Sequence, residues 1–196
     1  MKIAGIVLAG GLSSRMGQDK SQLVLAEQTL LTRTVDLLST LGLTDVFVSG
    51  EYDGFKCIAD INQTLGPIGG LHACVEYLYS DYDALFVLPI DMPLLGYEEC
   101  SHLLKQFSEH SQGVFYGQAT FPIIVPLTKQ LREHLSEAIT SPHNKQRSLY
   151  RLFKSLNLQP INYQEELSFR FQNSNTPEEW NYCLEMYSLL KNKKEL

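Results

Sequence analysis

The chain opens on an unbroken apolar run, Ile3–Ala9, which leads straight into two glycines. Runs of this kind belong to strands covered on both faces, as in parallel sheets. Gln28–Leu41 then places Leu30, Leu31, Val35, Leu38 and Leu41 on one helical face, and Gly42 supplies a stop. Asp45–Ser49, Lys56–Ala59 and Ala84–Ile90 read as further strands. Between and after them, Gly69–Ser80 (Leu71, Val75 and Leu78 inward) and Tyr97–His110 read as helices. Strands alternating with crossover helices predict an α/β fold: a three-layer sandwich around a mostly parallel, Rossmann-like, doubly wound sheet. Ligands of such sheets bind beyond the carboxyl ends of the strands.

The last third changes character. Gly113–Gly117 and Phe121–Val125 read as an added pair of strands, and Leu127–Ala138, Gln146–Leu156 and Pro177–Leu190 as helices. Ser141-Pro142-His143-Asn144 marks a turn within the linker Thr140–Lys145. There is no repeat, low-complexity tract or domain boundary, so a single domain over residues 1–196 is expected. A composition of 44% hydrophobic and 19% charged residues fits a globular chain with a sizeable core. Only the end, Lys191–Leu196, reads as a frayed, solvated tail, its clustered Lys191, Lys193 and Lys194 notwithstanding.

Charge and cysteines narrow the function classes. A formal net charge of -6 argues against general binding to a phosphate backbone, so no nucleic-acid partner is expected. No apolar run approaches a bilayer span, and the run after Lys2 meets no small-residue cleavage site. Cys57, Cys74, Cys100 and Cys183 form no C-x-x-C pair and sit among apolar neighbours, as buried thiols of a reducing compartment do. His72 beside Cys74 lacks the second pair that a zinc site needs. A cytoplasmic protein without a membrane partner is expected.

The chemistry concentrates in Leu8-Ala9-Gly10-Gly11-Leu12-Ser13-Ser14-Arg15-Met16-Gly17-Gln18-Asp19-Lys20, directly after the first strand. Glycines let backbone N–H groups close around an anion, and Arg15 and Lys20 add two positive charges. This is not a P-loop: Gln18 and Asp19 separate Gly17 from Lys20, and the spacing G-x-x-x-x-G-K-S/T is not met. The Rossmann pattern G-x-G-x-x-G is absent too. Lys20 precedes the apolar Leu23–Leu25, so its side chain is expected to leave the core. Asp91, in Pro89-Ile90-Asp91-Met92-Pro93, is a carboxylate held at a strand end between prolines. By itself it fits either a Mg²⁺ ligand or an ordinary turn residue. Asp60 follows the short strand Lys56–Ala59, and Gly66-Pro67-Ile68-Gly69-Gly70 makes either a base-binding turn or a plain helix entry. In Asn173-Ser174-Asn175-Thr176-Pro177-Glu178-Glu179, Thr176 is an N-cap, Pro177 the first helical residue and Glu179 the closing acid of a capping box.

The loop L-A-G-G-x-S-x-R-M-G-x-D-K, read together with Asp91, Asp60, the segment 66–70 and N-x-N-T-P-E, resembles the molybdenum cofactor guanylyltransferases. These are nucleotidyltransferases, and the resemblance runs along nearly the whole chain. It implies a nucleotide-diphospho-sugar transferase type of fold. It also implies a nucleotide site of Leu8, Ala9, Gly10, Gly11, Lys20, Asp60 and Asp91, with Lys20, Arg15 and Asp91 catalytic. Asp91 would hold Mg²⁺, and Asn173 and Asn175 would face the pterin. The substrates implied are GTP and molybdopterin or Mo-molybdopterin. Cofactor-biosynthesis proteins and apo-molybdoenzymes are the implied partners. Two positions depart from the family: Ser49 stands where some members have Asn, and Phe121 precedes Pro122 where the family has His.

The reaction implied is direct transfer of GMP to the terminal phosphate of molybdopterin with release of pyrophosphate, by positioning and charge neutralisation. Its rivals are a relative that uses CTP or a sugar phosphate, and a carrier that binds cofactor without catalysis. Leu8-Ala9-Gly10-Gly11, in place of a tetrapeptide such as T-A-A-G, favours GTP, and Lys20 with Asp91 argues against a carrier.

Overall fold

A computed structural model of the chain describes residues 1–10, 19–60 and 65–194. Among them one seven-stranded sheet organises the molecule. Its core is β1 (Ile3–Leu8), flanked in parallel register by β4 (Asp45–Ser49) and β6 (Ala84–Pro89). Outside β4 lies the two-residue β5 (Cys57–Ile58). Beyond β6 come β8 (Ile123–Pro126), β7 (Val114–Tyr116) and β9 (Gln159–Ile161). Of the seven, β8 alone runs against the rest. The mostly parallel sheet and the added strand pair of the last third are therefore both present.

Chain order fixes where a ligand can sit. From β1 the chain runs outward through α1 (Leu30–Ser39) to β4 and β5. It then returns through α2 (Pro67–Leu78) to β6, on the other flank of β1. Connections leaving β1 and β6 part in opposite directions, and a crevice opens between their carboxyl ends. Both strands are apolar on both faces: residues 4–8 and 84–88 are all buried, with Gly5 the one position without a side chain. Burial of this kind is the dominant favourable term in folding. The flanking helices α3 (Tyr97–Glu109), α4 (Lys129–Thr140) and α5 (Leu149–Ser155) complete the layers.

Several boundaries differ from the periodicity reading. Gln28 and Thr29 form a strand, β3, paired with β2 (Val24–Leu25), and do not open the helix. The turn between them has Ala26 and Glu27 at φ 51° and 68°, residues whose helical propensity conceals a hairpin. Thr29 then caps α1, its hydroxyl accepting the Thr32 N–H at 3.2 Å. β9 escapes the sequence reading because Pro160 interrupts it, and proline is tolerated there because β9 is an edge strand. α6 (Pro177–Lys194) runs past Leu190 into the residues expected to fray, since no glycine or proline stops it.

Two cores result. The main one surrounds the sheet, and a smaller one joins Leu23, Leu25 and Leu30 to Trp180, Leu184 and Tyr187 of α6. Cys74, Cys100 and Cys183 are buried, Cys57 is half-buried, and all four thiols are free.

Candidate active site

A cavity of about 430 Å³ lies at the carboxyl ends of β1 and β6. Leu8, Ala9 and Gly10 form one wall as β1 ends, and Pro89, Ile90 and Asp91 form the next as β6 ends. The two walls are joined by the Ile90 N–H, which donates to Leu8 O at 3.2 Å. Ser49, Asp60, Gly66, Pro67 and Gly70 line the α2 side. Gly66 enters that helix with φ +61°, a conformation that favours glycine. Gly70 permits close approach, since a Cβ there would lie 2.7 Å from Ser49 Oγ. Ser49 is buried, so the sheet and α2 meet here with no room for a methyl group.

Lys20 enters from below, at the start of a 3₁₀ turn, Lys20–Gln22, that Asp19 caps by accepting the Ser21 N–H at 2.9 Å. Its Nζ lies 3.5 Å from Asp91 Oδ2 and donates to Asn175 Oδ1. The two side chains are 12% and 24% exposed, so the pair is largely enclosed. Burial pushes the Asp91 carboxyl above its ordinary value, while the ammonium of Lys20 pulls it back. One wall over, burial lifts the Cys74 thiol to about 12, which makes it a packing group rather than a nucleophile. Among the described residues the cavity thus brings together the Lys20 ammonium, the carboxylates of Asp91 and Asp60 and backbone from the end of a strand. Such a set suits binding a polyphosphate and neutralising its charge.

A model of the MobA-like NTP transferase domain matches residues 5–161. The molybdenum cofactor guanylyltransferase of Xanthomonas euvesicatoria pv. vesicatoria is 38% identical over 176 residues, covering 90% of this chain and 91% of that protein. The chain belongs to the MobA-like NTP transferase family. It is a nucleotidyltransferase of the molybdenum cofactor guanylyltransferase kind. The fold agrees with solved relatives. The molybdopterin-guanine dinucleotide biosynthesis protein A of Archaeoglobus fulgidus superposes with a TM-score of 0.68 at 22% identity, covering 96% of this chain and 99% of that one. A nucleotidyl transferase from Methanothermobacter gives 0.72 at 13% identity, with the same coverage. At those identities the two structures bear on the fold alone.

In this nucleotidyltransferase the residues singled out in the sequence meet in one place. Leu8, Ala9, Gly10, Lys20, Asp60, Asp91, Asn173 and Asn175 all line the cavity. Gly11 and Arg15 lie outside the described residues. The Lys20 side chain leaves the hydrophobic core as expected, but into an enclosed cavity rather than solvent. The capping box of α6 is present: Glu179 N–H donates to Thr176 Oγ1 and Thr176 N–H to Glu179 Oε2, each at 3.2 Å.

Sequence reasoning missed Thr120, Phe121 and Leu149 as wall residues. Phe121 carried a signal, its place before Pro122, but Thr120 and Leu149 carried none. Ser49, set aside for departing from the family's Asn, does reach the cavity.

A second cavity, of about 510 Å³, adjoins the first and shares Thr120, Phe121 and Asn173 with it. Tyr150, Phe153, Tyr163 and Phe171 make its walls aromatic, and the rings of Tyr163 and Phe171 are stacked at 4.0 Å and 10°. Neither lining includes a histidine among the described residues.

Proposed function

We propose that this chain transfers GMP from GTP to the terminal phosphate of molybdopterin, or Mo-molybdopterin, and releases pyrophosphate. One observation carries the reading. Lys20 and Asp91, far apart in sequence, face one cavity at the switch point of the sheet, and an aromatic cavity opens beside it. A phosphate oxygen of the acceptor attacks the α-phosphorus of GTP, and the bond to the bridging oxygen of the β-phosphate breaks. The electron pair leaves with pyrophosphate, so stabilising negative charge is the main task. The Lys20 ammonium and the backbone of Gly10 serve the triphosphate, with Gly11 and Arg15 completing the cradle. Asp60 and the turn 66–70 border the nucleotide. Flat aromatic walls suit a pterin, and Asn173 and Asn175 stand at the border of the two substrates.

The residues present fit a divalent cation. Asp91 is a mostly buried carboxylate whose one described ion partner is 3.5 Å away, and added positive charge would offset its burial. Among the described residues no three His, Cys, Asp or Glu side chains gather as a ligand set. Mg²⁺ ordinarily takes one or two carboxylates and completes its shell with substrate oxygens and water. Bound at Asp91, it would neutralise charge on the leaving pyrophosphate.

The reading treats residues 1–196 as one nucleotidyltransferase domain, because Asn173 and Asn175, just ahead of α6, line the cavity. Free thiols favour a reducing, cytoplasmic compartment, and among the described residues no helix is long and apolar enough to cross a membrane. Biosynthesis proteins and apo-molybdoenzymes are the partners this activity calls for. The test is pyrophosphate release with GTP, CTP and ATP, each with and without molybdopterin. Release that needs GTP and molybdopterin together supports the reading. Equal use of ATP and GTP, or release with CTP alone, overturns it.

A further inference from the structure

An acid that lines neither cavity grips the site from behind. Glu179 Oε2 accepts the Asn175 N–H at 2.6 Å and the Thr176 N–H at 3.2 Å. In a capping box the acid satisfies the N–H of the cap residue itself, here Thr176. The shorter bond goes instead to Asn175, one residue outside the helix, which the cap does not require. Asn175, so fixed, turns its Oδ1 to the ammonium of Lys20. One residue earlier, buried Ser174 donates its N–H to Asp91 O at 2.8 Å and its hydroxyl to the same oxygen at 3.3 Å. The segment that leads into α6 therefore holds both members of the Lys20–Asp91 pair.

We propose that Glu179 is a positioning residue of the transfer reaction: by fixing the backbone of Asn175 it sets the side chain that holds Lys20 in place for the triphosphate. The proposal rests on the reading of Lys20 as a triphosphate ligand. Lysine has a flexible four-carbon stem, so a lysine already held binds an anion at lower entropic cost. Its ammonium has three donors, so it keeps Asn175 and Asp91 and still gives one to the nucleotide. Glu179 touches no substrate; beside this chain of contacts its negative charge also pushes the Asp91 carboxyl up. A purely structural Glu179 would stabilise α6 and do nothing else.

The experiment uses the full chain and reads binding of GTP with Mg²⁺ by calorimetry, which needs no acceptor, beside steady-state kinetics and thermal melts. Glu179→Ala and Asn175→Ala are each expected to lower affinity and kcat/KM for GTP on the order of tenfold. Residues acting in series are not additive, so the double variant should fall no more than about twofold below the weaker single one. Glu179→Gln keeps an oxygen for the two N–H groups and should recover most of the loss. Thr176→Ala breaks the cap but not the hold on Asn175. It should melt lower and keep GTP affinity within about twofold of wild type. Losses that multiply in the double variant overturn the proposal. So does a Thr176→Ala variant that reproduces the Glu179→Ala kinetics at an equal loss of stability. Lys20→Ala separates the two failures. If it leaves GTP binding unchanged, the reading of the site falls and takes Glu179 with it. If it weakens binding while Glu179→Ala is silent, only the positioning role falls.

Discussion

Lys20→Ala should damage chemistry far more than folding. The substitution removes a cation that is 12% exposed and leaves Asp91, 24% exposed, without its partner at 3.5 Å. Breaking a fully buried ion pair costs about 3–5 kcal/mol, because a bare charge is left behind. Here the separation is long, and burial already biases the Asp91 carboxyl toward its neutral form, so it can take up a proton instead of remaining a bare charge. The stability loss should therefore be about 1–2 kcal/mol, a fall of roughly 2–8 °C in Tm for a chain of this size. The rate should fall much further. Loss of one pre-organised donor to developing negative charge costs about 3–4 kcal/mol of transition-state stabilisation, on the order of a hundredfold to a thousandfold. Steady-state pyrophosphate release beside thermal melts of the same preparation compares the two. If the variant melts well below wild type yet keeps its turnover, Lys20 is a structural residue and the phosphate-cradle reading is wrong. Arg15→Ala should lower the rate similarly.

Asp91→Asn should abolish Mg²⁺-dependent turnover with the fold intact, because the Asp91 carbonyl that Ser174 binds is retained and only a poorly compensated charge is lost. Near-normal turnover in saturating Mg²⁺ would put the metal elsewhere. The surface pair Glu76–Arg132 makes a pH test: its two bonds of 2.7 Å hold the Glu76 carboxyl below its ordinary 4.5. A depressed folded pKa means that the stabilisation is fully present above about pH 4.5 and is lost as pH falls through the folded value. Glu76→Gln should thus melt slightly below wild type near pH 7, by at most about 1 kcal/mol for so exposed a pair, and converge with it in strong acid. A melting difference that persists in strong acid would mean the substitution acts through packing rather than charge.

The parts of this fold that are legible in the sequence are those in which one face or both faces of an element are apolar. β1, β6 and α1 declare themselves because Ile6, Val87 and Leu38 are wholly buried and their neighbours follow one period. The hairpin of β2 and β3 does not, because two residues per strand are too few to show a period and Ala26-Glu27 lacks the usual turn glycine. The site divides the same way. Gly10, Lys20 and Asp91 follow strands and carry distinctive chemistry, so a rule about strand ends finds them. Leu149 and Thr120 are ordinary residues on distant segments that only tertiary packing brings to the cavity. Ser174 and Glu179 look like plain helix-cap chemistry, and their link to Lys20 depends on where α6 docks, which no local pattern records.

That docking explains why the site belongs to the whole chain rather than to its strand-rich front. The matched family region ends at residue 161, yet the cavity wall is incomplete there. Asn173 and Asn175 close it from beyond that point, and α6 anchors them by packing Trp180, Leu184 and Tyr187 on Leu23, Leu25 and Leu30. Leu23 and Leu25 follow Lys20 closely in the chain, so the small second core fixes the base of the lysine while Asn175 fixes its tip. Removal of α6 would strip Asn175 of the Glu179 carboxylate that holds its backbone and take Trp180, Leu184 and Tyr187 off Leu23, Leu25 and Leu30. Catalysis by charge neutralisation depends on donors that need not reorganise when the substrate arrives. In this protein the sheet supplies the carboxylate and the strand-end backbone, and Asn175, just ahead of the last helix, accepts from the cation beside them.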